Sequence, residues 1–327
     1  MSSLIRVALF GAGNSAGAFA DSIERYGRRG GEGLWHERVG GHGVGELKVV
    51  LAYDVDGDKV GKVFHGTKVR PGLLLDEPPR HLTQGGFREQ GEASLEGELR
   101  RAKVDVALNL ISSGQERSSK KYAEICGRLG IAFVNGTPAV VANDGKIASA
   151  FRKEGVPLVG DDLLSQMGGT ILHKGIMDFL QQRGIRVVKS YQLDVGGSPD
   201  TLNTLKDEIR AFKRGIKSQS IAEELSYKVD TVAGTTDFVE FMGSKRTVYL
   251  WIVGKGPLDE PYVMDVFFKS SDPVNAANIL LDSARAAFAA RGRGGVEEVI
   301  SAFGFKNPPK RAGVKRAMAA FEKLYLK

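Results

Sequence analysis

Cysteine is almost absent from this chain. Cys126 is the single one, so an intramolecular disulfide and a cysteine metal cluster are both excluded. It falls in an apolar helical pattern with Tyr122, Ile125 and Leu129, which reads as a buried, inert thiol rather than a nucleophile. Long apolar runs are missing too: none approaches the ~20 residues that a membrane-spanning helix needs. Met1 runs almost directly into an apolar strand at residues 5–10, which leaves no room for a signal peptide. The expectation is a cytoplasmic protein with no membrane partner. Aromatic residues are only 8% of the chain and are not interleaved with the basic ones, so the net charge of +7 lacks the signature of a nucleic-acid groove. A basic balance of this kind also suits an enzyme that takes anionic substrates.

What is present is a globular composition, 42% hydrophobic and 26% charged over 327 residues, long enough for two domains. The pattern predicts strands at 5–10, 47–53, 104–111, 131–135 and 156–159, with helices at 15–26 and 116–129 between them. This alternation is that of a parallel, doubly wound α/β sheet. Residues 27–46 read as a long Gly-, Arg- and His-rich loop, and residues 77–100 as a polar, proline-bearing excursion. From Gly160 the rhythm changes. A helix at 165–183 leads to a strand at 186–195, a charged helix at 201–225 and strands at 247–253 and 262–268, the last two pairing antiparallel. A helix at 273–291 and a basic helix after Pro309 close the chain.

Gly11-Ala12-Gly13-Asn14-Ser15 follows a strand and opens a helix, the context in which a glycine turn binds a dinucleotide pyrophosphate at a helix N-terminus. Asp54 closes the second strand, where its carboxylate can accept from ribose hydroxyls and repel a 2′-phosphate, which favours NAD over NADP. In the second half, Lys213 and Lys217 are four apart and share a helical face. Lys245 stands in a turn before a strand, and Lys306 precedes Asn307-Pro308-Pro309, whose prolines hold the chain extended. The acid side is Asp161-Asp162 after the strand at 156–159, followed by Ser165-Gln166, which offer donors to a phosphate. Gly196-Gly197-Ser198-Pro199-Asp200 is a turn whose N–H groups can cradle an oxyanion. Asp272 precedes a helix.

These segments, in this order, resemble the inositol-3-phosphate synthase family, in particular its shorter archaeal and bacterial branch. The resemblance is carried by Gly11-Ala12-Gly13-Asn14, Asp54-Val55-Asp56, Gly160-Asp161-Asp162, Tyr191-Gln192-Leu193 through Asn203, Asp272-Pro273 and Phe305-Lys306-Asn307-Pro308-Pro309. It implies a Rossmann domain at 1–159, an inserted α+β catalytic and oligomerisation domain at 160–281, and a segment at 282–327 returning to the Rossmann domain. It also implies a homotetramer that converts D-glucose 6-phosphate to 1D-myo-inositol 3-phosphate with NAD, with a divalent metal ion as a further candidate cofactor. By this resemblance Lys213, Lys217, Lys245, Lys306, Asp162 and Asp272 are catalytic. Gly11, Gly13, Asn14, Ser15, Asp54, Ser112, Thr137, Pro138 and Asp162 hold the cofactor, and Ser165, Gln166, Gly197, Ser198, Asp200 and Asn203 face the substrate.

Two positions depart from the family's pattern: Leu164 stands where a lysine is usual, and Ser198 where an asparagine is usual. A related NAD-dependent enzyme acting on another phosphorylated or acidic substrate therefore stays open, as does a non-catalytic NAD-binding protein. The whole lysine set argues against the last.

Overall fold

The computed structural model describes residues 4–28, 30–82 and 86–326; Arg29 in the glycine-rich loop and residues 83–85 in the polar excursion lie outside them. Strand β1 (Ile5–Phe10) turns at Gly11 into helix α1 (Asn14–Tyr26). The loop that follows carries a small hairpin, β2 (Arg38–Val39) with β3 (His42–Gly43). Strand β4 (Leu47–Asp54) is followed by β5 (Val63–Phe64) and β6 (Thr67–Pro71). Then come α2 (Glu92–Ala102), β7 (Val106–Asn109), α3 (Glu116–Arg128), β8 (Ala132–Asn135), α4 (Gly145–Glu154) and β9 (Leu158–Val159). They form a seven-stranded sheet in the order β5-β6-β4-β1-β7-β8-β9, with every pairing parallel except β5 with β6. Its central strands are apolar and buried on both faces, as helices on either side of a parallel sheet require.

The second layer begins with α5 (Gly169–Gln182) and continues through β10 (Arg186–Gly196), α6 (Pro199–Thr204), α7 (Asp207–Ala222), β11 (Asp230–Phe238), β12 (Lys245–Lys255) and β13 (Pro261–Ser271). The sheet order is β11-β10-β12-β13, with β10 and β11 parallel and the others antiparallel. Helices α5 and α7 cover one face. Helix α8 (Asp272–Ala289) then leaves this sheet and packs on α1, and α9 (Glu297–Gly304) and α10 (Val314–Tyr325) follow it into the same core. It is buried all round from Ala276 to Ala287, because its alanines let neighbours approach from every side.

Several sequence expectations are corrected. The helix predicted at 201–225 is two helices, broken at Leu205-Lys206. The polar excursion at 77–100 ends in α2, whose Leu95 and Leu99 are fully buried at four-residue spacing. Strands β5, β6 and β11 were not anticipated, and the helix expected from residue 165 starts at Gly169. The loop at 27–46 is held from within: Arg285, wholly buried on α8, donates to the carbonyls of His36, Glu37 and His42. The same guanidinium meets Asp282 at 2.6 Å, and Asp282 also pairs with His36 at 2.6 Å. Cys126 is buried, as expected.

Candidate active site

A cavity of about 560 Å³ opens at the carboxyl ends of β1, β4, β7 and β8, where parallel α/β sheets place their ligands, and is closed on its far side by β10, β12 and α7. At one end lies the glycine turn. Gly11 has φ +96, and a Cβ there would come within 2.6 Å of the Leu110 carbonyl oxygen. A Cβ on Gly13 would meet nothing within 4 Å, so this glycine leaves room for something other than protein. The Ala12 N–H donates to Asp54 Oδ2 at 2.9 Å, and Lys59 Nζ donates to the same oxygen at 3.2 Å. Asn14 reaches across to Ser244 at 3.0 Å, tying the turn to the start of β12. Ser15, Ser112, Thr137 and Pro138 line this end of the cavity.

At the other end, cations and carboxylates meet in pairs. The chain at Phe305–Asn307 runs antiparallel to 161–163: Asp161 and Asn307 exchange backbone hydrogen bonds at 3.0 Å, and Lys306 N donates to the Asp162 carbonyl at 2.7 Å. This delivers Lys306 Nζ to Asp162 Oδ1 at 2.8 Å. Lys213 Nζ has all three donors engaged, by Ser113 Oγ at 3.0 Å, Asp200 Oδ2 at 2.9 Å and Thr204 Oγ1 at 3.0 Å. Burial works against ionisation of Asp200, but the Lys213 charge and Ser113 outweigh it and hold the carboxyl well below the usual range. Lys217, buried on the same face of α7, pairs with Asp194. Asp194 also takes Arg246 Nη1 at 3.3 Å and Gln192 Nε2 at 2.8 Å. Arg246 in turn meets Asp272 at 2.6 Å. Burial pulls the Lys217 ammonium below the ordinary lysine range, with Arg246 and Lys306 pushing the same way against Asp194. Burial raises the Asp194 carboxyl, yet Lys217 and Arg246 more than offset this and leave it below its ordinary value.

Of the residues singled out from sequence, Ser165 and Ser198 also line the cavity, together with Leu164. Ser198 caps α6 through the Thr201 N–H at 3.3 Å. Four residues stand outside the lining. Gln166 is tied to Asn278 at 2.7 Å and Asn203 to the Ser113 carbonyl. Gly197 is packed against the Val239 carbonyl, where a Cβ would come within 2.4 Å. Lys245 is exposed. The inward face of β12 is Val248, Leu250 and Ile252, so strand alternation turns Arg246 into the cavity and Lys245 away from it.

Residues 168–273 match the profile of the family described as myo-inositol-1-phosphate synthase. Over 352 aligned residues the chain is 31% identical to the inositol-3-phosphate synthase of Mycolicibacterium smegmatis, covering 97% of each protein. The chain belongs to the inositol-3-phosphate synthase family. The corresponding synthase of Corynebacterium glutamicum is also 31% identical, with 94% of each chain covered. The crystal structure of Ari2 superposes with a TM-score of 0.77 at 26% identity, covering 98% of both chains. Asp194, Arg246, Lys59 and Gln192 are among the cavity residues that the sequence reading missed. Gln192 and Asp194 had a signal, two polar residues on one parity of an apolar strand. Arg246 had one too, in the even-numbered apolar run that follows it. Lys59 had none of its own, because its pairing with Asp54 depends on how the turn after β4 folds back.

The donor set does not favour a divalent metal in the cavity. Asp162 and Asp272 are each engaged by a cation. Among the described residues, the grouping of metal-capable side chains is Asp21, Glu24 and His65, none of which lines the cavity. His173 on α5 is fully buried and its pKa is drawn down to about 4 by that burial, so the ring is neutral and structural, as the apolar helix pattern suggests.

Proposed function

We propose that this protein is an inositol-3-phosphate synthase that converts D-glucose 6-phosphate to 1D-myo-inositol 3-phosphate with bound NAD. The observation that carries the reading is one cavity that joins a dinucleotide turn ending at Asp54 to a cluster of Lys213, Lys217, Arg246 and Lys306. Gly11, Gly13, Ser15 and Asp54 would hold the cofactor, which when bound supplies the hydride exchange at C5. Lys217, its proton affinity weakened by burial, is suited to take the proton from the C5 hydroxyl. Lys306 and Arg246 would face the oxyanions that develop at C5 and C1. Lys213, with every donor satisfied, holds the loop at Ser113 and the turn at Asp200. Closing an open-chain sugar on itself gains from proximity, at best roughly 7–11 kcal/mol in favourable cases.

Incubating the full-length protein with NAD and glucose 6-phosphate deuterated at C5 should yield inositol phosphate that keeps the label, with no net reduced cofactor. NADP should substitute poorly, because the Asp54 carboxylate would face its 2′-phosphate. Reduced cofactor rising in step with product would instead mark an ordinary dehydrogenase. Leu164 and Ser198 in the cavity lining favour, as a second reading, a related reaction on another sugar phosphate, and the same assay run with such substrates decides between them.

The domain division at 159 and 281, cytoplasmic residence and a homotetramer belong to the same proposal. Supporting the last is the uncovered face of the four-stranded sheet, where Tyr191, Leu193, Tyr249, Trp251, Val263 and Phe267 lie side by side; Phe267 is 74% and Val263 57% exposed. A patch of that kind marks a protein–protein contact. Sedimentation should give a tetramer for the wild type, and Phe267→Glu should shift it to smaller species. A wild-type monomer at micromolar concentration would remove the proposal.

A further inference from the structure

Helix α7 is tied to the cofactor-binding half of the chain near both of its ends. Towards its start, Lys213 donates to Ser113 Oγ at 3.0 Å, in the loop that follows β7. Just past its last turn stand Glu223 and Glu224, and carboxylates at a helix C-terminus lie against the helix field. Both are engaged by the segment that follows Lys306. Arg311 pairs with Glu223 and also donates to Asn307 Oδ1 at 2.7 Å. Glu224 Oε1 accepts the N–H of Val314, the first residue of α10, at 2.8 Å. The N-cap of α10 is Gly313, which has no side chain to serve that donor, and a Cβ there would come within 3.1 Å of the same Glu224 oxygen. A carboxylate that is unfavourable for α7 is therefore favourable for α10, where it satisfies an orphan N–H at the positive end of the helix. The contact is a buried one: the Glu224 side chain is 2% exposed, with Lys174 of α5 at 3.3 Å from its other oxygen.

Lys217 lies between the two attachments. Lys213, Lys217 and Glu224 recur on one helical face, and the span from the first to the last is about 16 Å at 1.5 Å per residue. A helix held at one end can pivot about it, whereas a helix held at both presents its middle at a fixed place. Lys306 is fixed independently, by the backbone pairing of 305–307 with 161–163. The separation of Lys217 from Lys306 therefore depends on how the end of α7 is seated on residues 307–314.

We infer that Glu224, assisted by Glu223, is a positioning residue for the reaction: it clasps α7 to the start of α10 and so sets Lys217 against Lys306. This rests on the reading of Lys217 as the group that takes the C5 proton. Facing Lys217 are Asp194 of β10, Arg246 of β12 and Lys306, with Lys213 one turn earlier on its own helix. Of these, Lys306 is the charge whose approach the clasp controls, and its repulsion helps Lys217 to give up its proton. With the clasp open that repulsion weakens, and Lys217 stays protonated to higher pH.

The test is the pH profile of kcat for inositol phosphate formation from glucose 6-phosphate with NAD. Beside it, Lys217 is titrated by NMR in full-length protein labelled with carbon-13 at lysine Cε, its signal assigned by its loss in Lys217→Gln. Glu224→Gln keeps the shape of the side chain and should lower kcat about tenfold with KM within about twofold, because a displaced reacting group is felt in the chemical step. The acid limb of the profile and the Lys217 titration should both move to higher pH. Removing the Glu224 charge without displacing α7 would move them to lower pH, so the direction separates positioning from a field effect. Arg311→Ala, at an exposed contact, should move both the same way by less, and it keeps the test decisive if Glu224→Gln folds poorly. In a Lys306→Met background neither substitution should raise the Lys217 titration, since the charge that the clasp positions is gone. An upward shift of equal size in that background, or none in either single variant, overturns the inference. A raised Lys217 titration in the variants, with no inositol phosphate formed by the wild type, would keep the clasp and discard the synthase reading. Turnover by the wild type with the Lys217 titration unmoved in both variants would do the reverse.

Discussion

Replacing Lys306 by methionine is expected to lower kcat by about 10²–10³-fold, the range seen when one donor to a developing oxyanion is removed. The side chain reaches the cavity because residues 305–307 pair antiparallel with 161–163, and those backbone bonds do not involve the ammonium. Methionine keeps most of the apolar stem, so the segment should still dock. The loss has a second component, however: Asp162 is left buried without its partner, and its Oδ2 already lacks a hydrogen bond. Unpairing one member of a buried pair is destabilising. Combining Lys306→Met with Asp162→Asn should therefore recover stability in urea denaturation while kcat stays low. Single-turnover and steady-state rates of both variants separate the two effects. A kcat for Lys306→Met within about threefold of the wild type would remove Lys306 from the reacting atoms.

Arg285→Ala should cost about 3–5 kcal/mol of folding stability, the range for breaking a buried ion pair from one side. The guanidinium is 0% exposed and serves the carbonyls of His36, Glu37 and His42 as well as Asp282. Its removal takes the guanidinium from those acceptors and leaves the buried Asp282 carboxylate with His36 as its remaining partner. Arg285→Lys should recover little, because a single ammonium cannot match a planar fork spread over several acceptors. The loop at 27–46 should loosen first, seen as faster amide exchange there than in β1 or β7. Because Asn278, two turns earlier on α8, links Gly33 and Trp35 of that loop to Gln166 beside the cavity, the change should also be felt in the site. A stability loss below about 1 kcal/mol would show that the loop is held by other means.

The parts of this protein that its sequence determines are those governed by contacts close along the chain. The central strands of the parallel sheet are written as continuous apolar runs, and the glycine turn is recognisable because it joins a strand to a helix. Cys126 could be assigned to the interior from apolar helical spacing alone. The pairing of β12 with β13 followed from two β-rich runs across a short turn. Boundaries failed where a charged helix such as 201–225 gave no local sign of its break, and where β5, β6 and β11 depend on neighbours for their existence. What only the tertiary structure decided is the charge pattern of the site. Sequence places Lys213 and Lys217 on one helical face but does not show which lysines converge, whereas the fold sets a carboxylate against each cation of the cavity: Lys306 meets Asp162 across 144 residues of chain and Arg246 meets Asp194 across 52. Such pairings cannot be read from spacing, since they are made by elements that approach only once the cores have formed. Strand parity decided the rest. One step along β12 exchanges an exposed Lys245 for a half-buried Arg246 that lines the cavity, and only burial of Val248, Leu250 and Ile252 on one face chooses between them.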